Sequence, residues 1–321
     1  MHSFQELTQL FSEKFNVRHF PLSPASLYEP NEYFLSVSGK RIRPVMCLMG
    51  NELFGDIIPD AYEVATAIEL FHNFSLVHDD IMDKAPLRRG MATLHEKYNF
   101  PTALLAGDVM LVVAYDYLNK IQTKYLSRIL KLFNQTAREV CEGQQLDMEY
   151  ESMTGVDLAT YINMIALKTS VLIAGGLQMG AILGGAGEAN QHHLYEFGKN
   201  LGIAFQIQDD YLDAFGDPGK FGKQVGGDII ANKKTFLLIK ALDTATDKEK
   251  LELQQLMQSD VPDKVTRVIS IFRNVGVDTW ANQLKEQYLN TAYQHLEDIA
   301  VLSARKEPLK KLAQFLIRRD H

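Results

Sequence analysis

The sequence is short of the features that mark several protein classes. It has only two cysteines in 321 residues, Cys47 and Cys141, so no disulfide framework can staple it, and no Cys-x-x-Cys pair offers zinc ligands. A reducing cytoplasm fits that count. Prolines number ten and crowd into 21–30 and the gaps between apolar stretches, which leaves long segments free of helix breakers. No membrane span is expected: the most apolar stretch, 171–186, falls short of the roughly 20 residues required. It carries five glycines and Gln178, and reads as a buried helix packed closely on its neighbours. The start, Met1–Leu7, lacks the basic residues and apolar core of a signal peptide. Excess positive charge is missing too. A net charge of −7 argues against a general nucleic-acid binder, while leaving room for a local basic site.

What is present is a helical pattern. With 46% hydrophobic residues the chain can bury a large core. Apolar residues recur at three- and four-residue spacing over 4–15, 61–82, 103–118, 125–148, 158–183, 193–215 and 280–302. Thr246-Asp247-Lys248-Glu249 forms a capping-box signature, and Pro262, with Asp260 near the N-cap, is expected to open another helix. Without linkers or low-complexity tracts, one all-α domain covering 1–321 is the simplest organisation.

Two apolar helices end in the same pattern. Asp79-Asp80-Ile81-Met82-Asp83 precedes a charged, turn-rich stretch at 84–99. Asp209-Asp210-Tyr211-Leu212-Asp213 precedes 216–227, which holds five glycines in twelve residues. On a helix, residues four apart lie about 40° apart around the axis and roughly 6 Å along it, so Asp79 and Asp83 share a face, as do Asp209 and Asp213. Carboxylates stacked near a helix C-terminus repel one another and oppose the macrodipole. They call for a cation. Oxygen donors without thiolate or imidazole favour Mg²⁺, which takes one or two carboxylates plus substrate phosphates. The repetition suggests two helix ends facing each other across a cavity.

Basic residues supply the complement. Gly39-Lys40-Arg41-Ile42-Arg43-Pro44 sets three cations in four residues. Arg88-Arg89 follows the first aspartate motif, and Lys220, Lys223, Lys233 and Lys234 follow the second. Lys168-Thr169 interrupts an apolar helix, where a solvated surface is a poor explanation. Guanidinium forks match phosphate oxygens in pairs, and lysine supplies a point charge. His72 lies two turns before Asp79 on almost the same face. Asp228 could serve a metal loop or a cap.

Together these residues resemble the trans-isoprenyl diphosphate synthases, or polyprenyl synthetases, along nearly the whole chain. The matching segments are 39–44, 79–83 with Arg88-Arg89-Gly90, Gly143-Gln144 with Asp147, Lys168-Thr169, Phe205–Asp213, Gly222-Lys223 and Asn232-Lys233. Ser38 stands where many members have a second glycine. The resemblance implies an all-α isoprenoid-synthase fold, a single-domain helical bundle around a central cavity, and a homodimer. It implies three Mg²⁺ ions per active site, held by Asp79, Asp83 and Asp209 with Asp80, Asp210 and Asp213 near. Arg88, Lys168, Lys223 and Lys233 would steady an allylic diphosphate. Lys40, Arg43, His72 and Arg89 would hold isopentenyl diphosphate, and Thr169 and Gln206 would line the reacting carbons.

In this family the residues just before the first motif limit product length. Bulky Phe74 with small Ser75 resembles the geranylgeranyl (C20) makers, with farnesyl (C15) as the alternative. Met110, Val113 or Ala114 could instead set the floor. A terpene cyclase is the nearest enzymatic rival, but its second motif normally mixes Asn, Ser or Thr with Glu. A non-catalytic partner subunit usually goes with lost aspartates, and none is lost here.

Overall fold

The computed structural model describes residues 1–36, 39–153, 155–217 and 225–317. Lys220, Gly222, Lys223, Ser38 and Arg318-Arg319 lie outside the described residues. The chain is all-α. Its one sheet among the described residues is a pair of two-residue strands, β1 (Leu87–Arg88) and β2 (Met91–Ala92), paired antiparallel with Leu87 opposite Ala92 and Arg88 opposite Met91.

The chain divides into two compact units, each drawn from separate parts of the sequence. The first comprises 1–137, 172–195 and 299–308. Within it lie α1 (Phe4–Phe15), α2 (Ala25–Ser36), α3 (Ile42–Glu52), α4 (Pro59–Met82), the hairpin, α5 (Leu94–Lys97) and α6 (Phe100–Leu118). Ser3 and Glu6 close a capping box on α1. Helix α4 buries nearly all its faces, packing mainly on α6 and α3, and so takes several polar side chains, Glu69, Asn73 and Asp80 among them, out of water. The apolar stretch expected to be buried forms α9 (Val171–Leu183). It lies backbone to backbone on α3: a Cβ at Gly50 would stand 2.3 Å from the Leu177 carbonyl oxygen, and one at Gly180 only 2.0 Å from that of Cys47. No other residue fits either place.

The second unit comprises 138–171, 196–298 and 309–321. The second half of α7 (Thr123–Ser152) and α8 (Leu158–Ile165) belong to it, followed by a π-helical turn, Ala166–Ser170. So do most of α10 (Glu188–Phe215), α11 (Gly227–Ile230), α12 (Phe236–Thr244), α13 (Asp247–Leu256), α14 (Lys264–Asn274) and α15 (Val277–Asp298). The core gathers Tyr161, Ile165, Ile207, Phe236, Leu253, Val268 and Phe272, among others. The capping box read at 246–249 is present at the start of α13. Two expectations shift. Helix α14 begins at Lys264 rather than at Pro262, and α15 stops at Asp298 instead of Leu302. The last helix, α16 (Ser303–Ile317), tolerates Pro308 in its second turn.

Among the described residues, two helical stretches are long and apolar enough to cross a membrane. Leu158–Leu183 is 78% buried, as a core helix is, while Phe100–Leu118 is 39% buried. Helix α6 leaves a stripe of Leu104, Leu105 and Val112 exposed.

Candidate active site

The first aspartate motif closes α4. Asp79 and Asp80 occupy its last turn, and Asp83 is the exposed C-cap residue. Asp80 is only 1% exposed, so its charge needs a partner. Arg88 supplies one: Nε donates to both carboxylate oxygens at 2.7 and 2.9 Å, Nη2 lies 2.6 Å from Oδ1, and the same nitrogen is 3.5 Å from Asp79. The hairpin delivers Arg88. Its register leaves Arg89 and Gly90 as a two-residue loop, with φ of 51° and 79°. Two positive φ values are what a tight hairpin of this twist demands, and arginine is an unusual choice for the first.

Arg89 points back to the basic segment. Its Nη1 lies 2.6 Å from where a Cβ on Gly39 would stand. Lys40 is exposed, Arg43 is partly buried, and Arg43 Nη1 reaches His72 Nε2 at 3.1 Å. Burial, then the charges of Arg43, Arg89, Arg88 and Arg41, hold His72 well below the ordinary imidazole range. The ring is therefore neutral, accepts at Nε2 and carries its proton on Nδ1. Four of the residues expected to take isopentenyl diphosphate thus belong to one unit, with Arg43 touching His72.

Phe74 also lies here, its ring 4.7 Å from His78 and 5.6 Å from Phe71. Phe71 continues to Phe133 at 5.5 Å, so Phe74 belongs to an aromatic run. Ser75 turns its hydroxyl to the His72 carbonyl at 2.8 Å. Met110, Val113 and Ala114 are buried on α6.

The second motif lies in the last two turns of α10, in the other unit. Its middle aspartate, Asp210, is again buried, at 6% exposure. Here the partners are neutral. The Tyr161 hydroxyl donates to Oδ2 at 2.6 Å and the Gln206 amide to Oδ1 at 2.8 Å. Burial raises the carboxyl to about 7, the charges of Asp228 and Asp209 add to this, and the two hydrogen bonds only partly offset it. Asp213 accepts the backbone N–H of Asp228 at 2.9 Å, at the start of α11. Asp228 itself is raised by burial, against the pull of Lys233, whose ammonium lies 3.7 Å away. Lys234, which lines the same pocket as Asp228 and Lys233, donates to the Glu151 and Met153 carbonyls at the end of α7.

Lys168 and Thr169 stand on the π-helical turn. Such turns widen a helix by one residue and often mark functional positions. Lys168 pairs with Asp147 at 2.5 Å, and the Thr169 hydroxyl donates to Gln206 Oε1 at 3.3 Å. One turn before Asp147 on α7, Gly143 lets the two backbones touch: a Cβ there would stand 2.2 Å from the Lys168 nitrogen. Asp147, Tyr161, Lys168, Thr169, Gln206, Asp210 and Lys233 line one pocket of about 110 Å³.

These motifs, at helix ends and a widened turn, are matched by a known sequence profile. The polyprenyl synthetase profile covers residues 24–275. The chain belongs to the polyprenyl synthetase family. This polyprenyl synthetase is 34% identical to the short chain isoprenyl diphosphate synthase of Methanothermobacter thermautotrophicus, over 100% of this chain and 99% of the relative. It is 34% identical to the geranylfarnesyl diphosphate synthase of Aeropyrum pernix, over 93% and 96%. A solved structure of a geranylgeranyl pyrophosphate synthase superposes with a TM-score of 0.94 at 40% identity, covering 99% of each chain.

The donor chemistry of the polyprenyl synthetase fits Mg²⁺. Both motifs offer only oxygen, and the crowding of Asp209, Asp210 and Asp228 is one a hard cation would relieve. No cluster of three metal-ligating side chains exists among the described residues. Tyr161 and Glu69, a buried carboxylate on α4, escaped the sequence reading. Nothing in spacing links Tyr161 to a residue 49 positions on, or Glu69 to Arg41.

Proposed function

We propose that the chain is a trans-prenyltransferase joining an allylic diphosphate to isopentenyl diphosphate, with geranylgeranyl diphosphate as its product. The observation that carries this reading is the pocket around Lys168, Thr169, Gln206 and Asp210, where an ammonium group, a hydroxyl and an amide stand beside an aspartate motif. Asp79, Asp83 and Asp209 would hold Mg²⁺, three ions with substrate bound, and Asp80, Asp210 and Asp213 support them. The ions would offset charge growing on the leaving pyrophosphate. Arg88, Lys168, Lys233 and Lys223 steady the allylic diphosphate from their own side. Lys40, Arg43, His72 and Arg89 hold the isopentenyl diphosphate.

In the reaction the allylic C1–O bond breaks, the isopentenyl double bond attacks C1, and the proton lost goes to the departing pyrophosphate. Gln206 has its NH₂ engaged by Asp210, so its carbonyl oxygen is the end left for Thr169 and for a cationic carbon. Units one and two act as a single isoprenoid-synthase domain. The exposed Leu104, Leu105 and Val112 suit a homodimer interface, and two free cysteines suit the cytoplasm.

Purified protein with isopentenyl diphosphate, each allylic starter and Mg²⁺ should yield C20 diphosphate by mass spectrometry. A folded protein that elongates no starter refutes the assignment. Phe74→Ala should give longer products, and unchanged length at intact activity would remove Phe74 from the floor.

A further inference from the structure

Glu69 has no part in the roles above. It sits on α4, one turn before His72 and Asn73, at 4% exposure. A carboxylate buried this deeply costs several kcal/mol unless it is paired and hydrogen-bonded. Glu69 is both. Its Oε1 forms an ion pair with Arg41 Nη1 and accepts from Asn73 Nδ2 at 3.1 Å. Arg41 is fixed on further sides: Nη2 donates to the Leu35 carbonyl at 3.3 Å, and the guanidinium lies 4.8 Å from the centre of the Phe15 ring. It is also the N-cap of α3, held at φ 51°.

Arg41 therefore differs from its neighbours in the basic segment. The sequence sets it between Lys40 and Arg43 as one of three equal cations, but its guanidinium is turned inward onto Glu69. Lys40 immediately precedes this anchored residue and Arg43 follows two positions on. Arg43 goes on to His72, and Arg89 lies on Gly39 within the electrostatic reach of Glu69. Cations gathered this closely repel one another before any diphosphate arrives. A buried anion tied to the turn would hold them in place.

We infer that Glu69 is a positioning residue for the isopentenyl diphosphate site: the Arg41–Glu69–Asn73 brace fixes the left-handed turn that aims Lys40 and Arg43 and keeps Arg89 against Gly39. The inference rests on the proposed reading of those cations. Its sign is distinctive. A negative charge beside an anion site opposes binding, so removing it should tighten binding if charge alone counted. Positioning gives the opposite result.

The test is steady-state kinetics with each substrate varied in turn. Glu69→Gln keeps the shape and removes the charge. Arg41→Met/Glu69→Met replaces the whole pair with apolar side chains, a change that often spares the fold. Both should raise KM for isopentenyl diphosphate about tenfold while KM for the allylic substrate moves less than about twofold. An isopentenyl KM that is unchanged or lowered, or one that rises equally with the allylic KM, overturns the inference. Should neither variant fold, Glu69→Asp, which retracts the charge by one methylene, is judged by the same split. Arg43→Ala separates the two levels. If it raises the isopentenyl KM and the Glu69 variants do not, the brace alone is refuted. If Arg43→Ala leaves that KM unmoved, the site assignment falls and the inference with it.

Discussion

The two aspartate motifs share their aspartate spacing near the ends of their helices and bury the same second aspartate, but the burial is resolved differently. Asp80 faces a guanidinium that wraps it with three short contacts. Asp210 faces a phenol and an amide, with Asp228 and Asp209 adding negative charge. The buried aspartate of the first motif has a charged partner, and that of the second has neutral ones. The same Asp-Asp-x-x-Asp spacing thus leaves one buried carboxylate on a guanidinium and the other on neutral donors, and burial raises both carboxyls.

The largest effect should be common to both. Asp79→Ala and Asp209→Ala are each expected to lower kcat about a thousandfold at saturating Mg²⁺, measured as product formed per active site. A large loss in only one would mean the motifs do not share the metal work. The next effect should separate them. Arg88→Met strands a buried carboxylate and should cost about 3 kcal/mol in urea unfolding without Mg²⁺. Tyr161→Phe removes one neutral donor and should cost about 1–2 kcal/mol. Equal losses would erase the contrast.

The smallest effect is one of pH. Asp210 titrates near 7 in the folded protein and near the ordinary aspartate value unfolded. The native state therefore holds the proton more tightly between about pH 4 and about pH 7, and stability falls as pH rises through that window. In Mg²⁺-free buffer, Asp210→Asn should flatten this slope. Added Mg²⁺ should oppose it too, by favouring the ionised form. A wild-type slope of the other sign would show that neutral donors suffice for Asp210.

Much of this was legible in the sequence, and the exceptions have physical reasons. The long helices could be read because each keeps an apolar period over many turns. Helices α2, α3, α12 and α16 escaped; α2 and α16 each contain a proline, and α3 is buried on most sides. The aspartates, Lys168-Thr169 and the basic segment stood out as motifs. Which of those charges face substrate and which face inward did not, since Arg41 is locked to Glu69 and Lys234 to the end of α7. Such partners are set by packing between distant segments. The π-helical turn was equally hidden, because its sequence continues the apolar pattern on both sides.

The hairpin loop has a consequence for anyone reshaping this protein. Arg89 occupies a backbone conformation that asparagine or glycine would adopt at lower cost. A screen that rewards thermal tolerance should therefore favour replacing Arg89, while a screen for turnover should reject the same clones. Position 89 is where selection for robustness and selection for catalysis should part company.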